Sequence, residues 1–371
     1  MKTYSVAVLP GDGIGPEVIG EARRVLEATA RLFGFRLALD EGLIGQAALD
    51  ATGKLWSPET FQLARSAHAV LMGPVGGHRD EHPTSLNHPK QALNKLRGWL
   101  GTHTTLRPIK AYRALADCSP LRPGSQAFDV LVVHDHASGL PYGTPRGLTL
   151  QVDEWVATNT QIYSTAEIAR VARIACRAAA ERRGRVTSVD QSKDLETGEL
   201  WRDVAEVVAE TTPGVSLKRM DADNFMFELV RCPSRYDVVL ANQAIGELVA
   251  MAAAGLTGSY AIHPAAYVGG TTSIFQPVHG AALDLAGRGT ANPIAAIRAA
   301  AMLLDHAFDQ EQEAAAAAIE SAVEDVLNSG ILSADMSASG RSTHTTREIG
   351  DAVIHALERR APGMEFRAAM P

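Results

Sequence analysis

Two short stretches carry side chains of the right type and spacing for chemistry. The first is GDGIGPEV at residues 11–18, where glycines separate an apolar run from a helical pattern. Backbone N–H groups in such a turn can cradle a phosphate. A dinucleotide fingerprint, however, needs G-x-G-x-x-G and an acidic residue about 20 positions further on. Here the spacing is G-x-G-x-G, Pro16 falls near the place of the third glycine, and Asp40 comes late. The pattern predicts a tight strand-to-helix turn in preference to a Rossmann phosphate loop. The second stretch is His134-Asp135-His136 at a strand end, which puts both imidazoles on one face. Two such rings suit a transition metal, with a carboxylate as a further ligand, or one ring could act as a base. Histidines that merely fill space give the same pattern.

The rest of the chain must position these groups. Its 371 residues, 46% of them apolar, suffice for a large core and about two domains. A net charge of -7 argues against nucleic acid or an anionic membrane as partner. Cys118, Cys176 and Cys232 are odd in number and widely spaced, as in reduced thiols rather than a disulfide framework or zinc site. MKTYSVAVLPGDG turns too early for a signal peptide, and no apolar run reaches membrane-spanning length. A cytoplasmic globular protein is expected. YSVAVLP, HAVLMGPVGG, DVLVVHDH, RVTSVDQ and YDVVLANQ read as strands buried on both faces. Between them lie amphipathic helices. One follows Pro16 and carries Val18, Ala22, Val25, Leu26, Leu32 and Phe33 on a stripe. Another opens at Ser164 with Glu167 three residues on, and buries Ile168, Val171, Ala175 and Ala178. The alanine-rich EQEAAAAAIESAVEDVLNSG predicts a helix ending near Gly330. The pattern is that of an α/β protein with interleaved domains.

A longer stretch, FQPVHGAALDLAGRGTANP at residues 275–293, changes the picture. Together with LPGDGIGPEV, LMGPVGG, LRGWLGTHTTLRP and REIGDAVIHAL, in that order along the chain, it resembles the β-decarboxylating dehydrogenases. That family includes isopropylmalate, isocitrate and tartrate dehydrogenases. The resemblance implies an isopropylmalate dehydrogenase-like two-domain α/β fold, not Rossmann, with mixed sheets flanked by helices. Residues 1–102 and 258–371 would build a nucleotide-binding domain containing both termini. Residues 103–257 would build a smaller domain that forms a homodimer and completes the substrate site. NAD would lie against the loop 279–292, with His279, Gly280, Ala281 and Asn292 around the adenosine and Asp284 accepting from its ribose hydroxyls. A carboxylate there repels a 2'-phosphate, which favours NAD over NADP.

The family oxidises a hydroxy acid by hydride transfer and then loses a β-carboxylate. The resemblance assigns Arg97 and Arg107 to the substrate carboxylates, where a planar guanidinium suits a carboxylate clamp. A third family arginine is His134 here. The family lysine that follows Asp190 is Gln191, with Lys193 two residues away, and the family tyrosine is Pro141, with Tyr142 next to it. On an extended segment Tyr142 would face away from its neighbour's direction. Family metal aspartates correspond to Asp223, Glu247 and Met251, so Mg²⁺ or Mn²⁺ would keep only Asp223 and Glu247 as carboxylate ligands. An ordinary helix, with Met251 as packing, is the other reading of that segment. The expected activity is an NAD-dependent oxidation of a small hydroxy acid. A degenerate homologue that binds a nucleotide or acid as a regulatory subunit is the alternative.

Overall fold

The computed structural model describes residues 2–77, 88–308, 312–337 and 343–360. The first elements are β1 (Thr3–Leu9), α1 (Gly15–Phe33), β2 (Arg36–Glu41), α2 (Gln46–Thr52), α3 (Pro58–Ser66), β3 (Ala69–Met72) and α4 (Lys90–Leu100). The middle of the chain forms β4 (Thr104–Lys110), β5 (Asp129–Asp135), β6 (Gly143–Gln151), β7 (Glu154–Thr160), α5 (Thr165–Ala180) and β8 (Arg185–Asp190). It continues with α6 (Glu196–Glu210), β9 (Ser216–Asp221), α7 (Ala222–Arg231), β10 (Val238–Ala241) and α8 (Gln243–Gly255). Then come β11 (Pro264–Val268), β12 (Ser273–Pro277), α9 (Ile294–Ala307), α10 (Glu313–Asn328) and α11 (Thr346–Arg360).

These elements form two compact units. Unit 1 comprises Met1–Thr102, Tyr112–Ser119 and Thr257–Pro371; unit 2 comprises His103–Ala111 and Pro120–Leu256. The segment Tyr112–Ser119 falls within the stretch expected for the smaller domain, yet it packs in unit 1. The Tyr112 hydroxyl donates to Glu320, the Cys118 thiol donates to the Met336 carbonyl, and Leu115 is buried.

In unit 1 the strands run β2-β1-β3-β12-β11, parallel except for the β11–β12 pair. Unbroken apolar strands such as AVLM in β3 are buried along their whole length, as expected of strands covered on both faces. Pro16 stands in the first turn of α1, and Gly34 ends it in the left-handed region (φ 76°). The helix buries Val18, Ala22, Val25 and Leu26, but Leu32 and Phe33 are only half-buried. The last turn drifts off the stripe, and the buried aromatic ring there is Phe35.

In unit 2 the order is β4-β5-β10-β8-β9, with only the β4–β5 pair antiparallel. Two helix pairs, α5 with α6 and α7 with α8, pack on it. The capping box at Ser164 and Glu167 forms, and α5 buries Ile168, Val171 and Ala175; Ala178 is half-buried and Ala179 takes the core position. A separate antiparallel hairpin, β6–β7, exposes Leu148, Leu150, Val152 and Trp155. Among the described residues no helix is long and apolar enough to cross a membrane.

Candidate functional site

The loop 279–292 of unit 1 follows β12 and precedes α9. Ala282 (φ 39°), Gly287 (φ 76°) and Gly289 (φ 64°) all lie in the left-handed region. Glycine adopts that region freely, whereas Ala282 does so at a cost and stays there only when the surroundings hold it. The glycine turn after β1 is one such anchor. The Ile14 N–H donates to the Ala281 carbonyl at 2.8 Å, and a side chain at Gly13 would meet that same oxygen. Glu17 accepts from the N–H groups of Gly287 and Gly289. At the far end, the Asn292 amide donates to Asp335, while Thr346 bonds to the Gly289 and Ala291 carbonyls.

The loop is thus a fixed surface with groups suited to an adenosine. His279 Nε2 is buried without a hydrogen-bond partner, and burial lowers the pKa of the ring, so a neutral imidazole faces the site. Gly280 leaves open space beside it, and Asp284 is exposed. An orphaned buried nitrogen, open space and an unburied carboxylate fit a nucleoside.

Also in unit 1, Arg97 ends α4. Its guanidinium stacks 3.8 Å from the centre of the Tyr267 ring, and its Nε is buried without a partner. The ring fixes the plane of the fork, a requirement for bidentate recognition.

In unit 2 a second cluster forms where β4, β5 and α8 meet. Thr105 lies opposite His134 in the antiparallel register, so His134, Thr105 and Arg107 share a face. Helix α8 approaches that face through Gly246, where any Cβ would come 2.2 Å from the Cβ of His134. The close approach delivers Glu247 and Met251, one helical turn apart, onto Arg107. Arg107 is 5% exposed; its Nη1 lies 3.6 Å from Glu247 Oε2 and its Nη2 3.6 Å from Met251 Sδ. The other carboxylate oxygen of Glu247 is 3.7 Å from His134 Nε2. Met251, read from the sequence as packing, is 43% exposed and has its sulfur against the guanidinium.

This cluster does not fit a divalent cation. Glu247 is the only carboxylate in it, the fixed positive charge of Arg107 stands 3.6 Å from one of its oxygens, and a thioether is a poor ligand for Mg²⁺ or Mn²⁺. Asp223 sits exposed in the first turn of α7, its carboxylate accepting from the Asn224 N–H. His136, expected beside His134 as a possible ligand, is hydrogen-bonded to Thr105 at 2.9 Å, while His134 Nδ1 meets the Asp135 carbonyl at 2.8 Å. No group of three or more His, Cys, Asp or Glu side chains suited to a metal occurs among the described residues.

The end of β8 holds Asp190, Gln191 and Lys193. Asp190 is buried and paired with Arg202 at 2.8 Å, an arginine that nothing in the sequence pattern singles out. Gln191 is exposed, and Gly198 packs against its backbone. Lys193 turns away to Asp221 at 2.6 Å, and that hydrogen bond raises its pKa, keeping the amine protonated. Tyr142 lies 48% exposed in a turn closed by its N–H to the Gly139 carbonyl, not on the extended segment expected.

The isocitrate/isopropylmalate dehydrogenase family model matches residues 5–353. The chain is 41% identical to a 3-isopropylmalate dehydrogenase of Salinibacter ruber over 366 residues, 97% of this chain and 98% of that one. It is 37% identical to the Aquifex aeolicus 3-isopropylmalate dehydrogenase over 360 residues, 97% of this chain and 98% of that one. Its fold is similar to isocitrate dehydrogenase from Methylococcus capsulatus, with TM-score 0.83, 26% identity, and coverage of 95% and 99%. A β-decarboxylating dehydrogenase from Thermococcus kodakarensis gives TM-score 0.79 and 29% identity, with 99% of each chain covered.

Proposed function

Because the chain belongs to the isocitrate/isopropylmalate dehydrogenase family, we propose that it is a cytoplasmic NAD-dependent oxidoreductase acting on a small hydroxy acid. The observation that carries this reading is the anchored loop 279–292, with neutral His279 beside open space and Asp284 exposed. His279, Gly280, Ala281 and Asn292 would surround the adenosine, and Asp284 would accept from the ribose hydroxyls and repel a 2'-phosphate. The chemistry such a dinucleotide supplies when bound is acceptance of a hydride. Arg97 and Arg107 are the proposed carboxylate contacts. The rigid fork of each is held by Tyr267 in one case and by burial in the other.

The proton chemistry of the relatives does not carry over. Gln191 has no titratable amine, Lys193 is held as an ammonium by Asp221, and Pro141 has no phenol. We therefore do not assign β-decarboxylation to this chain, and no step is assigned to a divalent metal. The test is NADH production from a panel of small hydroxy acids, with EDTA present. Turnover of one of them supports the reading; no turnover and no NAD binding sinks it.

A second reading, a nucleotide- or acid-binding regulatory subunit, is favoured by the same loss of proton-transfer groups. It predicts NAD binding without turnover of any acid in that panel. In either case a homodimer built by unit 2 is proposed. Phe227, Val230 and Leu248 on α7 and α8 and the hairpin side chains Leu148, Leu150 and Trp155 leave apolar surface exposed. A monomer at micromolar concentration in light scattering contradicts it.

A further inference from the structure

We infer that Glu17 is a positioning residue: its carboxylate holds the cofactor loop in shape by accepting the N–H groups of Gly287 and Gly289. The inference rests on the proposed reading that the loop 279–292 receives the dinucleotide.

Glu17 lies in the first turn of α1, directly after the glycine turn. Its Oε1 accepts from Gly287 N at 2.5 Å and its Oε2 from Gly289 N at 3.1 Å. Two left-handed glycines thus aim their amides at one carboxylate, a concave arrangement that elsewhere binds a free anion. Here a side chain fills it, so those amides serve the protein and not a phosphate. The same α1 N-terminus fixes the other side of the loop through Ile14 N and the Ala281 carbonyl. Asp284 and Ala282 lie between these two anchors. The glycine-rich turn that resembles a phosphate cradle is therefore a template against which a different loop is shaped.

A carboxylate is required, not merely a polar side chain. Each oxygen of Glu17 meets a donor, so replacing one oxygen by an NH₂ group would set two donors face to face. Glu17→Gln keeps size and shape and one acceptor oxygen, while at the other position a bond is replaced by two opposed donors. Glu17→Asp, one methylene shorter, cannot span both amides and serves as an independent variant.

The experiment uses the full chain. Hydrogen exchange at the Gly287 and Gly289 amides should accelerate about tenfold or more in Glu17→Gln, and NAD should bind about tenfold more weakly. Acid binding and the melting temperature should change little, which separates positioning of the loop from general damage. If Glu17→Gln does not fold, Glu17→Asp must show the same two changes. Unchanged exchange and unchanged NAD affinity in a folded variant overturn the proposal. If the parent protein binds no NAD, the cofactor reading fails on its own, and the exchange rates still decide whether Glu17 holds the loop.

Discussion

Lys193 Nζ lies 2.6 Å from Asp221 Oδ2, and the two side chains close on each other at the adjacent ends of β8 and β9. The pairing holds Asp221 below the usual carboxylate range and Lys193 above the usual amine range. An amine kept protonated cannot accept a hydroxyl proton at neutral pH. Lys193→Ala should leave acid turnover, NAD affinity and melting temperature close to the parent values in steady-state, calorimetric and thermal assays. A collapse of turnover in Lys193→Ala would make this lysine a working base after all.

Asp284 is exposed on the loop 279–292. Calorimetry should give tighter binding of NAD than of NADP, and Asp284→Lys should erode that preference by about tenfold or more, since a charge reversal replaces repulsion of a 2'-phosphate by attraction. Equal affinities of the parent protein for both dinucleotides would remove Asp284 from the site.

Arg107 meets Glu247 and Met251 with an unpartnered, buried Nε still available. Arg107→Leu should weaken binding of a malate-type diacid by about 10–100-fold, the range for a lost charge-assisted contact. Arg107→Lys should not restore it, because a point charge lacks the planar fork. Parent-like diacid affinity in Arg107→Leu would mean that acids bind elsewhere.

Stability of unit 2 should carry an acid signature from Asp237. Its fully buried carboxylate accepts from Arg182 Nε at 2.9 Å and from the backbone N–H groups of Arg183 and Arg185. Burial opposes its ionisation, but the Arg182 hydrogen bond and those amides outweigh it and depress the pKa. A depressed pKa in the folded state gives stability that is present above the unfolded value and lost as pH falls through the folded one. Asp237→Ala should cost about 3–5 kcal/mol at neutral pH, and the cost should shrink as pH drops below about 4. Urea melts of both proteins at neutral and acidic pH measure this; an equal cost at both would rule out the charge as its source.

Much of this was legible in the sequence, for reasons particular to each element. Continuous apolar runs announced β1, β3, β5, β8 and β10, because strands buried on both faces leave no alternation to misread. Ser164 and Glu167 marked the start of α5, since capping is a local interaction. The glycine turn could be separated from a Rossmann loop by spacing alone. What it does instead was not legible: Glu17 reaches residues 270 positions away, a pairing set by the tertiary path and by no local rule. The same holds for Arg202 on Asp190 and for the approach of α8 to His134 through Gly246. The partner of Lys193 was hidden too, because the turn after β8 decides which way its side chain leaves the strand.

We propose that this family member lacks the proton-transfer and metal groups that the family resemblance implies. Turnover of 3-isopropylmalate with NAD and Mn²⁺ tests it most directly, with an authentic 3-isopropylmalate dehydrogenase assayed alongside. On that proposal Gln191, Pro141 and Met251 each stand in place of such a group, and one lost acid or base costs about a hundredfold or more. Because groups acting together do not contribute independently, the losses need not multiply. The predicted rate is therefore at least about a hundredfold below that of the authentic enzyme. A rate within about tenfold of it would mean that neighbouring side chains replace the missing groups, and would contradict the proposal.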